Sequence, residues 1–248
     1  MTLYDIFMGS LPGRTGTLLG HLIPGSFLFL FPLFILLVSA KRAFELPSGK
    51  SFCEVHVPER SLSFLSGIGW SLVIATGIGA IVEVISMMIF PGYNSTTHIC
   101  MYLSFMAVGG AAVMESQKKF PFDTTRRCLV VSFTVQFIMM YSHGMMKELM
   151  TDKQLHLLLA YLYLTIALVT AYSIHNPSSV VAFIAGWAGI LLAGAWWITI
   201  GLYCCCMDIT SHMVGTWFSM EVVFLMLAIM GIVAVFGLYS DDGQPQQH

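Results

Sequence analysis

Seven apolar runs, each about as long as a membrane-spanning helix, constrain this chain more than any other feature. A helix needs about 20 mainly apolar residues to cross a hydrocarbon core about 30 Å thick. The runs cover approximately residues 22–40, 62–90, 97–114, 128–146, 155–174, 180–206 and 214–238. We therefore expect one all-α domain over residues 1–248, a polytopic membrane protein built as a seven-transmembrane-helix bundle, with polar tails at 1–19 and 239–248.

Composition agrees with a membrane protein and argues against other classes. Of the 248 residues 57% are apolar and only 10% are charged, whereas soluble domains carry about 25% charged residues. The formal net charge of −2 comes without a basic stripe, which excludes a nucleic-acid partner. The expected partner is the lipid bilayer. The sequence leaves open whether the chain forms a homo-oligomer and which protein partners it has.

Lys and Arg residues divide unevenly between the two sides of the predicted bundle. Eight fall on one side and three on the other, namely Lys41, Arg42, Lys50, Arg60, Lys118, Lys119, Arg126 and Arg127 against Arg14, Lys147 and Lys153. Cytosolic loops carry the excess of positive charge. This bias predicts a lumenal or extracellular N-terminus and a cytosolic C-terminus.

Two modification signals bear differently on this orientation. The sequon at Asn94 falls on the lumenal side, where N-glycosylation takes place. The run Cys204–Cys206 ends the sixth helix on the same side, whereas palmitoylation of such cysteines would require the cytosolic face. The other interpretation is that these cysteines are small buried hydrophobes. The sequence decides neither modification.

Six ionisable residues from six predicted helices fall in the lumenal half of the bundle. They are His21, Glu83, His98, His143, His156 and Glu221. A charged carboxylate near the middle of a membrane helix costs about 2.5 to 3.5 kcal/mol. A proton, a histidinium, a bound cation or water would offset that cost, and each places the two glutamates inside the bundle.

Polar and small residues extend the predicted inward faces. Thr76 and Gly79 share a face with Glu83. Gln136 shares one with His143, and Tyr102 follows His98 by one turn. Gln136 and Tyr102 therefore join the six ionisable residues as candidate lining of a cavity for a proton, a metal ion or a small polar ligand.

A metal ion is one of the ligands that this set could hold. Zinc or copper would be bound by some of the ionisable candidates, namely His98, His143, His156, Glu83 and Glu221. Met139, Met140, Met145 and Met146 could add soft copper ligands, but adaptable core packing is the favoured interpretation of these methionines. No residue is assigned a catalytic role.

The connection between the fourth and fifth predicted helices carries four charges in seven residues, Lys147–Lys153. We expect a short solvated turn there. Because this connection is short, we expect it to bring His143 and His156 near each other. "WW" at Trp196 and Trp197 predicts either packing or a place in the interfacial aromatic belt.

Three kinds of function are compatible with this pattern. The first is a protein that binds or translocates a small ligand through the polar cavity, and histidine would suit it to sensing pH. The second is a structural or trafficking adaptor in which the polar residues hold helices together. The third is a zinc-dependent intramembrane lipid hydrolase, but no His-x3-His pair places two ligands on one helix face.

Several local patterns resemble one known family. "GHLIPGSFLF" at 20–29, "HICMYL" at 98–103, "HLLLAY" at 156–161 and "GAWWITIGL" at 194–202 resemble, in the same order, the first-, third-, fifth- and sixth-helix patterns of the transmembrane protein 45 family, which includes the epididymal transmembrane protein. The resemblance spans roughly Gly20 to Leu238.

The resemblance implies a seven-helix protein of the Golgi, endolysosomal or plasma membrane with no settled biochemical activity. The chain departs from the family pattern at two places. The family tends to have a His-x-His pair where this chain has only His143, and a histidine near the position of Glu221. A ligand set therefore cannot be carried over residue by residue.

Overall fold

The computed structural model describes residues 18–45, 59–89, 96–177 and 179–241. Within these ranges the chain forms seven α-helices: α1 (Leu18–Glu45), α2 (Glu59–Ile89), α3 (Thr96–Ser116), α4 (Thr124–Met145), α5 (Met150–His175), α6 (Val180–Cys205) and α7 (Val214–Asp241). All seven are long and apolar enough to cross a bilayer. The prediction of an all-α, polytopic seven-helix protein is confirmed.

The helices do not pack simply in chain order. α2 packs on α3, α3 on α4, α4 on α5 and α5 on α6, but α1 closes the bundle against α6 at the far end of this series. α7 packs more lightly against α1, α5 and α6. Among the described helices, α2 has an extensive contact only with α3. α1 and α2 are therefore separated over part of their length, although the Phe34 and Phe64 rings, with centroids 5.6 Å apart, join them away from the histidines.

The most buried part of the protein lies where α5 and α6 meet α4. Phe133, Leu155, Leu159, Tyr163 and Trp196 are each completely buried. The Trp196 indole Nε1 donates to the Leu155 carbonyl at 2.9 Å. The indole thus packs inside the bundle, and the packing interpretation of the tryptophan pair holds for it.

Glycines allow two close contacts between helix backbones. A Cβ added to Gly69 of α2 would lie 2.7 Å from the Gly109 carbonyl oxygen of α3. A Cβ on Gly194 of α6 would lie 2.8 Å from the Gly25 carbonyl oxygen of α1. Small residues let helix backbones approach closely in membranes. They fix α2 to α3 and α1 to α6.

Two sequence-based boundaries differ from the structure. α4 begins at Thr124 and α5 at Met150, several residues before the predicted starts at 128 and 155. The polar residues at these ends continue the helices beyond the apolar runs. The prediction of a fully solvated turn over Lys147–Lys153 is wrong in part, because the second half of that segment is helical and Asp152 is 2% exposed.

Candidate functional site

Five of the predicted site residues lie together at one end of the bundle, which we call the histidine end. It contains the first turns of α1, α3 and α5 and the last turns of α2 and α4. Glu83 of α2 and His98 of α3 begin the group, with Oε1 and Nδ1 3.0 Å apart. The Glu83 side chain is 8% exposed and that of His98 is 20% exposed.

A series of imidazole rings continues from this pair across the bundle. The His98 and His143 ring centroids are 6.2 Å apart, and those of His143 and His156 are 5.1 Å apart. His21 of α1 extends the series, since its centroid lies 6.1 Å from that of His156. The ring series therefore draws on four helices, α1, α3, α4 and α5.

The series ends in a second carboxylate that the sequence prediction missed. His156 Nδ1 lies 3.0 Å from Asp152 Oδ1 on the same helix. Lys147 Nζ lies 3.5 Å from Asp152 Oδ2, and both side chains are largely buried. Asp152 stands four residues before His156, which is the spacing of neighbours on a helix face. That spacing was the available signal, but the surrounding charges suggested a solvated turn.

The hydrogen bonds of His156 fix its neutral tautomer. Nδ1 lies 2.8 Å from the Asp152 carbonyl oxygen, and a carbonyl can only accept a hydrogen bond. Nδ1 therefore carries a proton in both states of the ring. Nε2 is left as the atom that gains or releases a proton.

Two glycines let the histidines approach each other. A Cβ on Gly144 would lie 3.1 Å from the Cβ of His156. A Cβ on Gly201 of α6 would lie 2.9 Å from the Cβ of His21. The absence of side chains at these two positions thus allows α5 and α1 to bring their rings into the group.

Tyr102 and Gln136 lie beside this group and make other contacts. The Tyr102 ring packs on Gly79, where a Cβ would be 2.7 Å from it. Gln136 is completely buried, and its Nε2 donates to the Met101 carbonyl at 3.0 Å and to Ser104 Oγ at 2.7 Å. Gln136 therefore links α4 to α3.

Glu221 is placed differently from Glu83. Its Oε1 accepts a hydrogen bond from Thr199 Oγ1 of α6, while its Oε2 is buried with no hydrogen-bond partner among the described residues. No described hydrogen bond or ring contact joins it to the histidines. The structure brings together Glu83, His98, His143, His156 and His21, and it leaves Glu221 on the α6–α7 contact.

The described residues were predicted to include possible metal ligands, and their arrangement bears on that prediction. No group of three or more His, Cys, Asp or Glu side chains among them is arranged to hold a metal ion. The four candidate methionines do not share an environment, since Met140 is 1% exposed and Met146 is 71% exposed. Cys204 and Cys205 are buried while Cys206 is exposed. Asn94 lies outside the described residues.

Glu115 forms a separate polar group at the opposite end of the bundle. Its carboxylate accepts hydrogen bonds from the backbone nitrogens of Asp123, at 2.9 Å, and Thr125, at 2.7 Å. The Thr125 hydroxyl donates to the same carboxylate at 2.6 Å. Asp123 has a positive φ of 66°, so the carboxylate holds an unusual backbone conformation at the start of α4. The group secures the α3–α4 connection.

Comparison with known protein families finds a match for part of the chain. A family model described as "Family of unknown function (DUF716)" matches residues 123–207, the segment that forms α4, α5 and α6. No curated protein matches the chain. The matched segment includes His143, Asp152 and His156 together with the tryptophan pair. The chain is an integral, multi-pass membrane protein that contains a segment similar to a family of unknown function.

Proposed function

We propose that this protein binds protons at the histidine end, within a network formed by Glu83, His98, His143, His156 and Asp152. The observation that carries the proposal is the unbroken series of ring contacts between the two carboxylates. Imidazole is the side chain whose ordinary titration range covers the pH of secretory and endosomal compartments. Coupled groups of this kind gain and lose protons as a set.

The geometry suits redistribution of a proton among the rings. Each ring is about 5 to 6 Å from the next, a spacing that one water molecule can bridge. Glu83 Oε1 and Asp152 Oδ1 each lie 3.0 Å from Nδ1 of the nearest ring, that of His98 and that of His156. Lys147 opposes them from the α4–α5 turn, because its ammonium lies against Asp152. Among the described residues Tyr102 is a further titratable neighbour, one turn below His98.

Family membership and topology belong to the same proposal. The matched model describes the family to which transmembrane protein 45 belongs, and the ordered patterns over Gly20–Leu238 support extending that assignment to the whole chain. The Lys and Arg bias supports placing the histidine end on the lumenal or extracellular side. The Golgi, endolysosomal compartments and the plasma membrane would expose that side to different pH values.

Proton binding is tested by nuclear magnetic resonance of the full chain labelled with ¹⁵N at histidine, in lipid nanodiscs, over pH 4.5 to 8. Each cluster signal is assigned by a single His→Gln variant. We expect the signals of His98, His143 and His156 to titrate as a coupled set. Glu83→Gln should alter the titration curves of His98 and His143, because the carboxylate contacts the first ring of the series.

Two exposed histidines provide internal controls. His175 ends α5 and His212 lies between α6 and α7, and both are exposed. Their titration should be unchanged in the Glu83→Gln protein. Curves for the cluster histidines that are independent of one another, or insensitive to Glu83, would rule out a shared proton-binding network.

A structural role is the second candidate function, and the Gln136 contacts support it. They join α3 and α4 without any titratable group, and interhelical hydrogen bonds of this type contribute about 0.6 to 2 kcal/mol each.

Metal analysis of the purified protein tests the remaining alternative, the zinc-dependent lipid hydrolase. Stoichiometric zinc lost in His143→Ala, with lipid turnover lost in the same variant, would favour the hydrolase.

A further inference from the structure

A cleft of about 320 Å³ lies between α1 and the α2–α3 pair. Pro24, Phe27 and Leu30 line it from α1, and Leu72 and Phe105 line it from α2 and α3. Tyr163 and Trp197 form its inner wall. Glycine contacts hold α1 against α6 and α2 against α3, so α1 and α2 stand apart along the cleft and meet beyond it, where the Phe34 and Phe64 rings pack together.

The cleft opens sideways, at the depth of the membrane-spanning segments. Ile23 and Leu30 border it and are 59% and 63% exposed, so the described residues leave one side uncovered. Both residues belong to the apolar span Gly20–Val38. In a bilayer this opening faces lipid chains, because the hydrocarbon core holds no water.

The two ends of the cleft differ in chemistry. The inner lining is mainly aliphatic and aromatic, whereas His98 and Tyr102 stand at the histidine end. Glu83 contacts His98 from α2. A molecule that filled the cleft would therefore have an apolar body and a polar end.

The dimensions select the occupant. From Gly20 to Leu30 the lined part of α1 runs about 15 Å at 1.5 Å per residue. A helix of that length, about 10 Å across, would occupy about 1,200 Å³, which exceeds the about 980 Å³ of empty space in the cleft, its open mouth included. A helix from a second copy or from another protein does not fit, but a single hydrocarbon chain does.

We propose that this cleft binds one hydrocarbon chain of a membrane lipid, which enters sideways between α1 and α2 and places its polar head beside His98. The head would meet the imidazole and the Tyr102 hydroxyl at the mouth of the cleft. Chain binding goes beyond the proton network, since it depends on the shape of the cleft and not on the titration of histidine.

The test uses two light-activated probes on the purified full chain in nanodiscs. One is palmitic acid with a diazirine at the middle of its chain, and the other is a phosphatidylcholine that carries the same modified chain. Peptide mass spectrometry locates the crosslinks. We expect them to concentrate on residues 20–30 of α1 and 98–105 of α3, and excess unlabelled palmitate to reduce them.

Filling the cleft should abolish this labelling. Ser26→Trp fills it from α1, and Ala75→Trp fills it from α2, since both residues line it. Ile81→Trp is the matched control, because Ile81 is 60% exposed on α2 and does not border the cleft. Thermal unfolding of each variant shows whether it folds. If one of the two cleft variants fails to fold, the labelling of the other cleft variant tests the proposal.

The outcomes separate the sources of the chain and the two proposals. Cleft labelling by the fatty acid alone assigns a free single-chain lipid, and labelling by both probes assigns a chain of an esterified lipid as well. Labelling spread evenly over the exposed faces of α2 and α7, or cleft labelling that persists in both Trp variants, overturns the inference. The histidine titrations are a separate measurement. Their result tests the proton-binding proposal and leaves the lipid proposal unaffected.

Discussion

The imidazole rings of His143 and His156 lie 5.1 Å apart at an interplanar angle of 65°, one at the end of α4 and the other in the second turn of α5. Gly144 makes this approach possible, because its backbone lies against the Cβ of His156. The connection between the helices is therefore part of the site. It also carries the ion pair that leads to the first prediction.

Removing the charge of Asp152 should destabilise the protein. Asp152→Asn removes the carboxylate charge that lies 3.5 Å from the largely buried Lys147 ammonium, and breaking a buried ion pair costs about 3 to 5 kcal/mol. We expect a clear fall in the thermal unfolding midpoint in detergent, monitored by tryptophan fluorescence. Glu148→Gln changes an exposed charge in the same turn and should leave the midpoint nearly unchanged.

If the thermal unfolding midpoint fell equally in Asp152→Asn and Glu148→Gln, the stability of the α4–α5 turn would depend on net charge alone. The double variant Lys147→Met, Asp152→Leu provides a further check. Replacing both buried charges by apolar side chains should recover most of the lost stability.

The closest contact between α2 and α3 gives a second prediction. Gly109→Ala would place its Cβ 2.8 Å from the Gly69 carbonyl oxygen, and overpacking of this kind costs about 1 to 3 kcal/mol. Gly110→Ala makes the same chemical change where no atom lies within 4 Å. It should be neutral or slightly stabilising, because alanine favours a helix over glycine by about 1 kcal/mol.

Thermal unfolding of the two alanine variants under identical conditions measures this difference. A midpoint that falls as far for Gly110→Ala as for Gly109→Ala would contradict the close contact between α2 and α3. The pair is a strict comparison, since the two glycines are adjacent on one helix.

The sequence predicted which faces of the helices turn inward better than it predicted which helices are neighbours. Thr76, Glu83 and Gln136 are all buried, as the spacing of small and polar residues indicated. Periodicity carries that information because one helix face repeats every three or four residues. It carries no information on the partner of each face, so the packing of α1 on α6 could not be deduced.

The same limit explains the incomplete prediction of the candidate site. Glu221 and Glu83 are both acids on apolar helices, but only Glu83 contacts a histidine, while Glu221 contacts Thr199 across the α6–α7 contact. Asp152 was assigned to a solvated turn because charge density suggests exposure. Its buried carboxylate lies against the Lys147 ammonium, a contact that the order of residues does not reveal.

A third prediction concerns the polar group at the opposite end of the bundle. Glu115→Ala removes the acceptor for the Asp123 and Thr125 backbone nitrogens, and each hydrogen bond to a charged group contributes about 1.5 to 3 kcal/mol. We expect lower thermal stability and faster amide hydrogen exchange at residues 123–127. Lys119→Gln in the same connection alters an exposed side chain and should change neither measurement.

If amide exchange at 123–127 stays slow in Glu115→Ala, the carboxylate does not secure the start of α4. The histidine titrations should be unaffected in either case, because Glu115 lies at the other end of the bundle. This separates a local loss of structure from a loss of the candidate site.

The last prediction tests whether His21 belongs to the ring series. Gly201→Ala would bring a Cβ within 2.9 Å of the His21 Cβ, so α1 must shift and carry the ring away from His156. The His156 signal should then change its titration curve, because one neighbour of the ring has moved. Gly215→Ala, where nothing lies within 4 Å, is the matched control and should leave that curve as in the unaltered protein. An unchanged His156 titration in Gly201→Ala would confine the network to α2, α3, α4 and α5, with His21 serving only to pack against Trp197.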